Sequence, residues 1–410
     1  MIMAAYEAME QISLTLVVDK TTNKVLYAEA GNGFLDILLS FFTMPLGTIS
    51  TLVRKKSSVQ PCKFGCIGSL HCSAENLDSK SFLNYDEGKD DLLDLEPAEA
   101  WGDDVQFNSL HYIVYDDLKV VRCDVNTTLE ILRNFGTEHV PVRLTADITK
   151  KEALDLLKLS LYSETPLTDL FLRKEPHIKN CIQAQPQLKI NVSEMQDREG
   201  KKMELKLKVI ISKSKSKIVF AEADHKFVNQ LYSFLLIPLG AVERLAQGNT
   251  GFVCIDNLYK SVIDLRETIK DNDPYSGATS FSNALRTFID PCIGREIKRL
   301  MLPVPINHSK RPSEYLGYMK QETMYMVSDN LWVQPFSSLA ALSVLHESQV
   351  FADDLEVKDI CIGVNEVLGI LNAAVTSSSA LTRGLSSFIR NSKRKRSGVA
   401  SNYGNLILFL

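Results

Sequence analysis

The sequence predicts an α+β protein of two tandem homologous domains, each a small, mostly antiparallel sheet of β-hairpins packed with helices. Two observations carry that prediction. Residues 12–52 and 205–245 align without a gap, and 14 of the 41 positions are identical. Later blocks repeat in the same order: Tyr112 to Val120 is echoed by Tyr325 to Val333, Glu152 to Leu157 by Glu366 to Leu371, and Leu167-Thr168 by Leu381-Thr382. The spacing of the echoes is far longer than the repeat of a solenoid, so the pattern reads as two domains. The domains run over 12–172 and 204–388, with an N-terminal tail over 1–11, a linker over 173–203 and a flexible basic tail over 389–410.

Each element has its own signal. Ile12, Leu14, Leu16 and Val18 alternate with their neighbours as a half-buried strand does, Thr21-Thr22-Asn23 supplies a turn, and Val25 to Ala30 returns as the second strand. Gly31-Asn32-Gly33 breaks the strand. Phe34 to Met44 is apolar almost all round, which marks a buried helix, and Pro45-Leu46-Gly47 ends it because proline lacks a backbone donor. A short helix is expected near 48–52 and another over 64–77. A second hairpin spans 110–121 with its turn at Asp116-Asp117, a helix follows near 127–133, and Pro141 to Ala146 reads as a strand. Thr149 and Glu152 form a capping box that opens an amphipathic helix. Thr165-Pro166 starts a last short one. The second domain repeats this order with an insertion near 271–312.

Size and composition narrow the class. The chain has 410 residues, 45% hydrophobic and 23% charged, with a formal net charge of −4. That is enough apolar material for two cores, and it gives no long-range attraction to nucleic acid or anionic membranes. No nucleic-acid partner is expected. The apolar runs fall short of the roughly 20 residues a membrane-spanning helix needs, so no membrane span is expected. Residues 1–11 lack the basic and apolar regions of a secretory signal, so a location in the cytoplasm, or in the nucleus, is expected. The eight cysteines are then expected as reduced thiols. Lys393 to Arg396 has the composition of a nuclear import signal, or of a solvated tail.

Candidate chemistry is sparse. Cys62, Cys66 and Cys72, with His71, have the ligand types zinc takes, but only Cys66 recurs, as Cys254, and adjacent His71 and Cys72 suit one ion poorly. No metal and no cofactor is expected. Glu29 and Glu222 recur between paired alanines at a strand end, and a buried carboxylate there would suit acid–base work or ligand binding. The same glutamates also suit the start of the helix that follows. Tyr112 and Tyr325 recur at the start of the second hairpin and complete the candidate binding set. The histidines do not recur, and no nucleotide-binding, metalloprotease or hydrolase motif is present. No catalytic residue is assigned.

The repeated blocks also carry a family look. Ala28-Glu29-Ala30 and Ala221-Glu222-Ala223, each followed by an apolar helix ending Pro-Leu-Gly, resemble the plant family catalogued as domain of unknown function 674. So do Asp329 to Ser338, Asn365 to Leu371 and Ser377 to Thr382. The resemblance covers 12–172 and 205–388. It implies a plant source and no activity. Similar members often carry a cysteine-rich knuckle before the second hairpin, where this chain keeps only Cys292-Ile293-Gly294.

The expected function is therefore non-enzymatic binding of another protein, whose identity the sequence leaves open. The acidic stretch 86–104 and the insertion 271–312 are its expected variable contacts. The alternative is a small-molecule binder or an enzyme with its site in the cleft between the repeats.

Overall fold

A computed structural model describes residues 12–55, 59, 62–83, 89–90, 92–93, 111–135, 141–173, 204–272 and 317–389. Apart from residues 173, 271–272 and 389 at their edges, the linker, the insertion and the basic tail lie outside the described residues, as does most of the acidic stretch.

The protein is α+β. Its first sheet has five strands: β1 (Ile12–Asp19), β2 (Lys24–Ala30), β3 (Tyr112–Tyr115), β4 (Val120–Arg122) and β5 (Val142–Ile148). They lie in the order β4-β3-β2-β1-β5, and every neighbouring pair is antiparallel. The second sheet has β6 (Leu205–Ser212), β7 (Lys217–Ala223), β8 (Tyr325–Ser328), β9 (Val333–Pro335) and β10 (Leu355–Ile362). Read from β9, its order is β9-β8-β7-β6-β10, the same plan strand for strand. Even the irregularities repeat. The β1–β2 register shifts between Val17 and Val18, and the β6–β7 register between Ile210 and Ile211. Both expected hairpins of the first domain are present. The fifth strand lies beside the first and completes a sheet larger than two hairpins.

Local chemistry explains the turns. In the β1–β2 turn Asp19 accepts from Thr21 N, Thr21 Oγ1 and Thr22 Oγ1, which holds its carboxyl down to about 2. Asn23 and Ser216, at the matching turn ends, both take left-handed backbone at φ 52° and 51°.

Among the described residues the named helices of the first repeat are α1 (Asn32–Ser40), α2 (Leu46–Arg54), α3 (Ile67–Asn76), α4 (Val125–Phe135), α5 (Lys150–Tyr162) and α6 (Pro166–Phe171). Those of the second are α7 (His225–Tyr232), α8 (Leu239–Leu245), α9 (Val253–Asn272), α10 (Ser338–Glu347), α11 (Val364–Thr376) and α12 (Ala380–Gly384). The apolar run after β2 becomes α1 and a 3-10 turn at Phe41–Thr43. Its Phe34, Leu38, Leu39 and Phe41 are wholly buried. Burial of a side chain of that size stabilises by about 1.5–3 kcal/mol. At α5, Glu152 accepts from Thr149 N, as the capping box requires.

Sequence repeats and compact units divide the chain differently. One compact unit holds the first sheet with α1, α2, α4, α5 and α6, and also α8 and α9 of the second repeat. The other holds the second sheet with α7, α10, α11 and α12, and also α3 of the first repeat. Each unit thus combines the sheet of one repeat with helix from the other.

In the first unit α9 packs on β4 and α5. Ser261 Oγ accepts from Val120 N at 2.9 Å, and Asn257 Nδ2 donates to Asp117 Oδ2 at 3.0 Å. The two Pro-Leu-Gly segments meet in this unit as a short antiparallel bridge. Leu46 N donates to Ile237 O at 2.9 Å and Leu239 N to Met44 O at 3.0 Å. Gly240 is required there, because a Cβ would stand 2.9 Å from Phe42 Cβ.

In the second unit α3 packs on α7 and β9. Its entry is tight. Gly65 has φ +50°, and a Cβ on it would stand 2.3 Å from Ala374 O.

Candidate functional site

Two polar joints recur, one in each unit. In the first, Asp116 accepts from Thr168 N at 2.8 Å and Thr168 Oγ1 at 2.6 Å. Thr168 Oγ1 in turn accepts from Val25 N at 2.8 Å. In the second, Asp329 accepts from Thr382 N at 2.7 Å, and Thr382 Oγ1 accepts from Ile218 N at 2.9 Å. Each joint ties the hairpin turn, the last short helix and the start of the returning strand. The nearby turn residues Leu118 and Leu331 take left-handed backbone at φ 61° and 64°, so the turn geometry repeats as well. Burial raises both aspartates above the usual carboxylate range, and the threonine donors oppose it; Asp116 reaches about 6.

The second joint lies in the wall of an open groove of about 960 Å³. The groove belongs to the second unit and is formed by residues of the second repeat. Lys217, Asp329 and Trp332 line one side, and Leu339, Ser343 and Val344 of α10 the other. Lys217 Nζ lies 3.3 Å from the buried Asp329 Oδ2, close enough to pair but without a well-aligned hydrogen bond. Lys215 donates to the carbonyls of Ser348 and Gln349. The cations at this rim are thus tied to partners within the unit.

Helix α10 is held by one face. Ala340, Ala341, Val344 and Leu345 pack against a core of Ile210, Val219, Phe220 and Met326. The other face leaves Leu339 76% and Leu342 64% exposed. Phe336 before the helix and Phe351 after it are exposed as well. In the first unit, α4 follows β4 as α10 follows β9, and Leu129 stands at the place of Leu342, 44% exposed.

The residues singled out by sequence fall elsewhere. Glu29 pairs with Arg143 at 3.2 Å, reaching past β1 to β5. Glu222 pairs at 3.2 Å with Lys208, its direct neighbour across β6–β7. Tyr112 and Tyr325 are buried in the two cores, and burial raises the Tyr112 hydroxyl. Tyr325 OH donates to Ser81 O at 3.4 Å.

The three thiols have separate settings. Cys66 is buried and donates to Ser377 O at 3.0 Å, and burial pushes its thiol up to about 12. Cys62 and Cys72 are half-buried. Among the described residues no group of three or more His, Cys, Asp or Glu side chains is placed to hold a metal ion. Among them, too, no helix is long and apolar enough to cross a membrane.

Sequence reading missed the Asp–Thr joints, although the signal was present. Asp116 and Thr168 stand 52 positions apart and Asp329 and Thr382 53 apart, inside blocks already seen to repeat. The spacing gave no hint that the pairs touch.

No curated protein and no solved structure matches the chain. The family described as "Protein of unknown function (DUF674)" matches over residues 8–102 and 94–365, which takes in most of the sequence and both sheets. The chain belongs to that family.

Proposed function

We propose that the protein is a non-enzymatic binding module that docks an apolar, uncharged face of another protein along α10 and its groove. The observation that carries this reading is the outward leucine on the helix after the fourth strand of each sheet, Leu129 in one unit and Leu342 in the other. Single exposed leucines are ordinary. Here Leu339, Leu342, Phe336 and Phe351 stand within one short segment, and grouped apolar exposure is what interaction surfaces present. Charge supports the partner's chemistry, because Lys217 and Lys215 are already engaged. The setting we assign is the cytosol or nucleus of a plant cell, in keeping with six cysteines that stand as thiols among the described residues.

A photo-crosslinking residue at Ser343 tests this, in wild type and in the double variant Leu339→Glu and Leu342→Glu. The expected result is one crosslinked partner in cell extract, lost in the double variant while circular dichroism is unchanged. The same crosslinks in both proteins would overturn the assignment of this surface.

A further inference from the structure

The turn from α8 to α9 gathers two carboxyl groups around one hydroxyl. Glu243 of α8 is wholly buried, and Asp256, in the first turn of α9, is nearly so. Thr250 Oγ1 lies 2.7 Å from Glu243 Oε1 and 2.8 Å from Asp256 Oδ1. A threonine hydroxyl has one proton to give. It can serve only one of these contacts, so the other needs a proton brought by the carboxyl itself.

The remaining donors decide which. Asp256 Oδ1 accepts from Thr250 N at 2.8 Å and Oδ2 from Gly251 N at 3.1 Å. Both Asp256 oxygens thus meet backbone N–H groups, as suits a carboxylate. Glu243 Oε2 is buried with no hydrogen-bond partner. The consistent chain runs from Glu243 Oε1–H to Thr250 Oγ1, and from Thr250 Oγ1–H to Asp256 Oδ1. Burial first, and the charge of Asp256 second, raise Glu243 well above the usual carboxylate range. Thr250 and the ammonium of Lys260, also on α9, act the other way.

The first repeat gives an internal comparison. In the ungapped alignment the position of Glu243 is taken by Ser50, also wholly buried. Packing at this place therefore does not demand a carboxyl. The turn it serves takes left-handed backbone at Gln247, Gly248 and Gly251, with φ of 51°, 65° and 90°, and of these only Gln247 carries a Cβ that such a conformation strains.

We propose that Glu243 carries a proton in the folded protein at neutral pH, and that the α8–α9 turn is a proton-operated latch, closed while that proton is present and loosened when it leaves. Among the described residues the charged groups that act most on Glu243 are Asp256, which opposes its ionisation, and Lys260, which favours it. Because the folded protein binds this proton more tightly than the unfolded chain, the latch contributes fully in acid. Its contribution falls as pH rises above the ordinary glutamate range.

The test compares wild type with Glu243→Gln, a neutral isostere able to donate to Thr250. Thermal unfolding and hydrogen exchange over residues 246–256 are followed from about pH 5 to about pH 9. Wild type is expected to lose both Tm and protection as pH rises. The glutamine variant loses less over the same range, its remaining slope coming from other carboxyls raised by burial, such as Asp36, and it melts about 5 °C above wild type at the alkaline end. Glu243→Ser, which restores the residue of the first repeat, shows the same flattening even if its absolute Tm is lower. Infrared difference spectra of wild type minus Glu243→Gln at neutral pH show a protonated-carboxyl band. Parallel pH profiles for wild type and both variants, or absence of that band, would overturn the proposal.

Discussion

Cys66 donates its thiol proton to the carbonyl oxygen of Ser377, 3.0 Å away and 311 positions further along the chain. Cys254 does the same to Ser163 O at 3.1 Å in the other unit. Each cysteine opens a helix carried over from one repeat, and each carbonyl ends a helix of the other. The only cysteine recognised as recurring is thus the clasp of an exchange.

Thiol labelling separates this structural role from a reactive one. The thiolate is the nucleophile, and burial disfavours it at Cys66 and Cys254. Alkylation of the native protein is expected to modify exposed Cys123 and Cys361 and to spare Cys66 and Cys254. Cys66→Ala should lower unfolding stability by about 1–2 kcal/mol through a lost bond and a small cavity. Mass spectrometry and a denaturant titration read the two effects.

Exchange of helices makes the repeats interdependent. A protease site placed within 174–203 and cut in the folded protein is expected to leave the halves together at native size by light scattering. The first sheet keeps α9 only if the second repeat stays. Two separately folded fragments after cutting would contradict it.

The threonine joints should be costly to cut. Thr168→Val keeps the shape but removes the acceptor of Val25 N and a donor to Asp116. Two buried groups lose a partner, which points to a loss of about 2–3 kcal/mol. Thr382→Val should cost a similar amount in the second unit, where Ile218 N is stranded. Chemical denaturation measures both.

Asp36 in α1 offers a pH test with a defined sign. Burial raises its carboxyl to about 6. A raised folded value means the protonated form is favoured by folding, so the contribution of Asp36 is complete below about pH 4 and is lost as pH rises through about 6. Asn229 stands at the matching place in α7 and accepts from Met319 N at 3.0 Å. Asp36→Asn is therefore expected to stabilise by about 1–2 kcal/mol at neutral pH, with the gain vanishing in acid. Unfolding midpoints at two pH values decide it.

Much of the fold was legible because its causes are local. The turn at Thr21 to Asn23, the stop at Pro45 and the capping box at Thr149 depend on neighbours within a few residues. Their elements appear within a few residues of the expected bounds. Alternation in β1 named Ile12, Leu14, Leu16 and Val18; the last three are buried, Ile12 is only half-buried, and Val17 is buried as well, beside the register shift. What could not be read was partnership at long range. An apolar α3 sequence says that a face is buried but not under which sheet, so its packing on α7 and β9 had no local signal. Glu29 and Glu222 were conspicuous for the same reason in reverse. Their recurrence was visible, but their partners Arg143 and Lys208 are defined only once the strands are in register.

The exchange of α9 also bears on how the protein is made. The first sheet and the helices around it are encoded by residue 171, yet α9, which covers β4 and α5, ends at Asn272. At a synthesis rate of about 5–20 residues per second, roughly 100 further residues take about 5–20 s. Through that interval the nascent first half exposes the apolar surface meant for a helix still unbuilt. The ribosome thus hands the cell a half-finished core, and shielding it during translation falls to whatever chaperones meet the emerging chain.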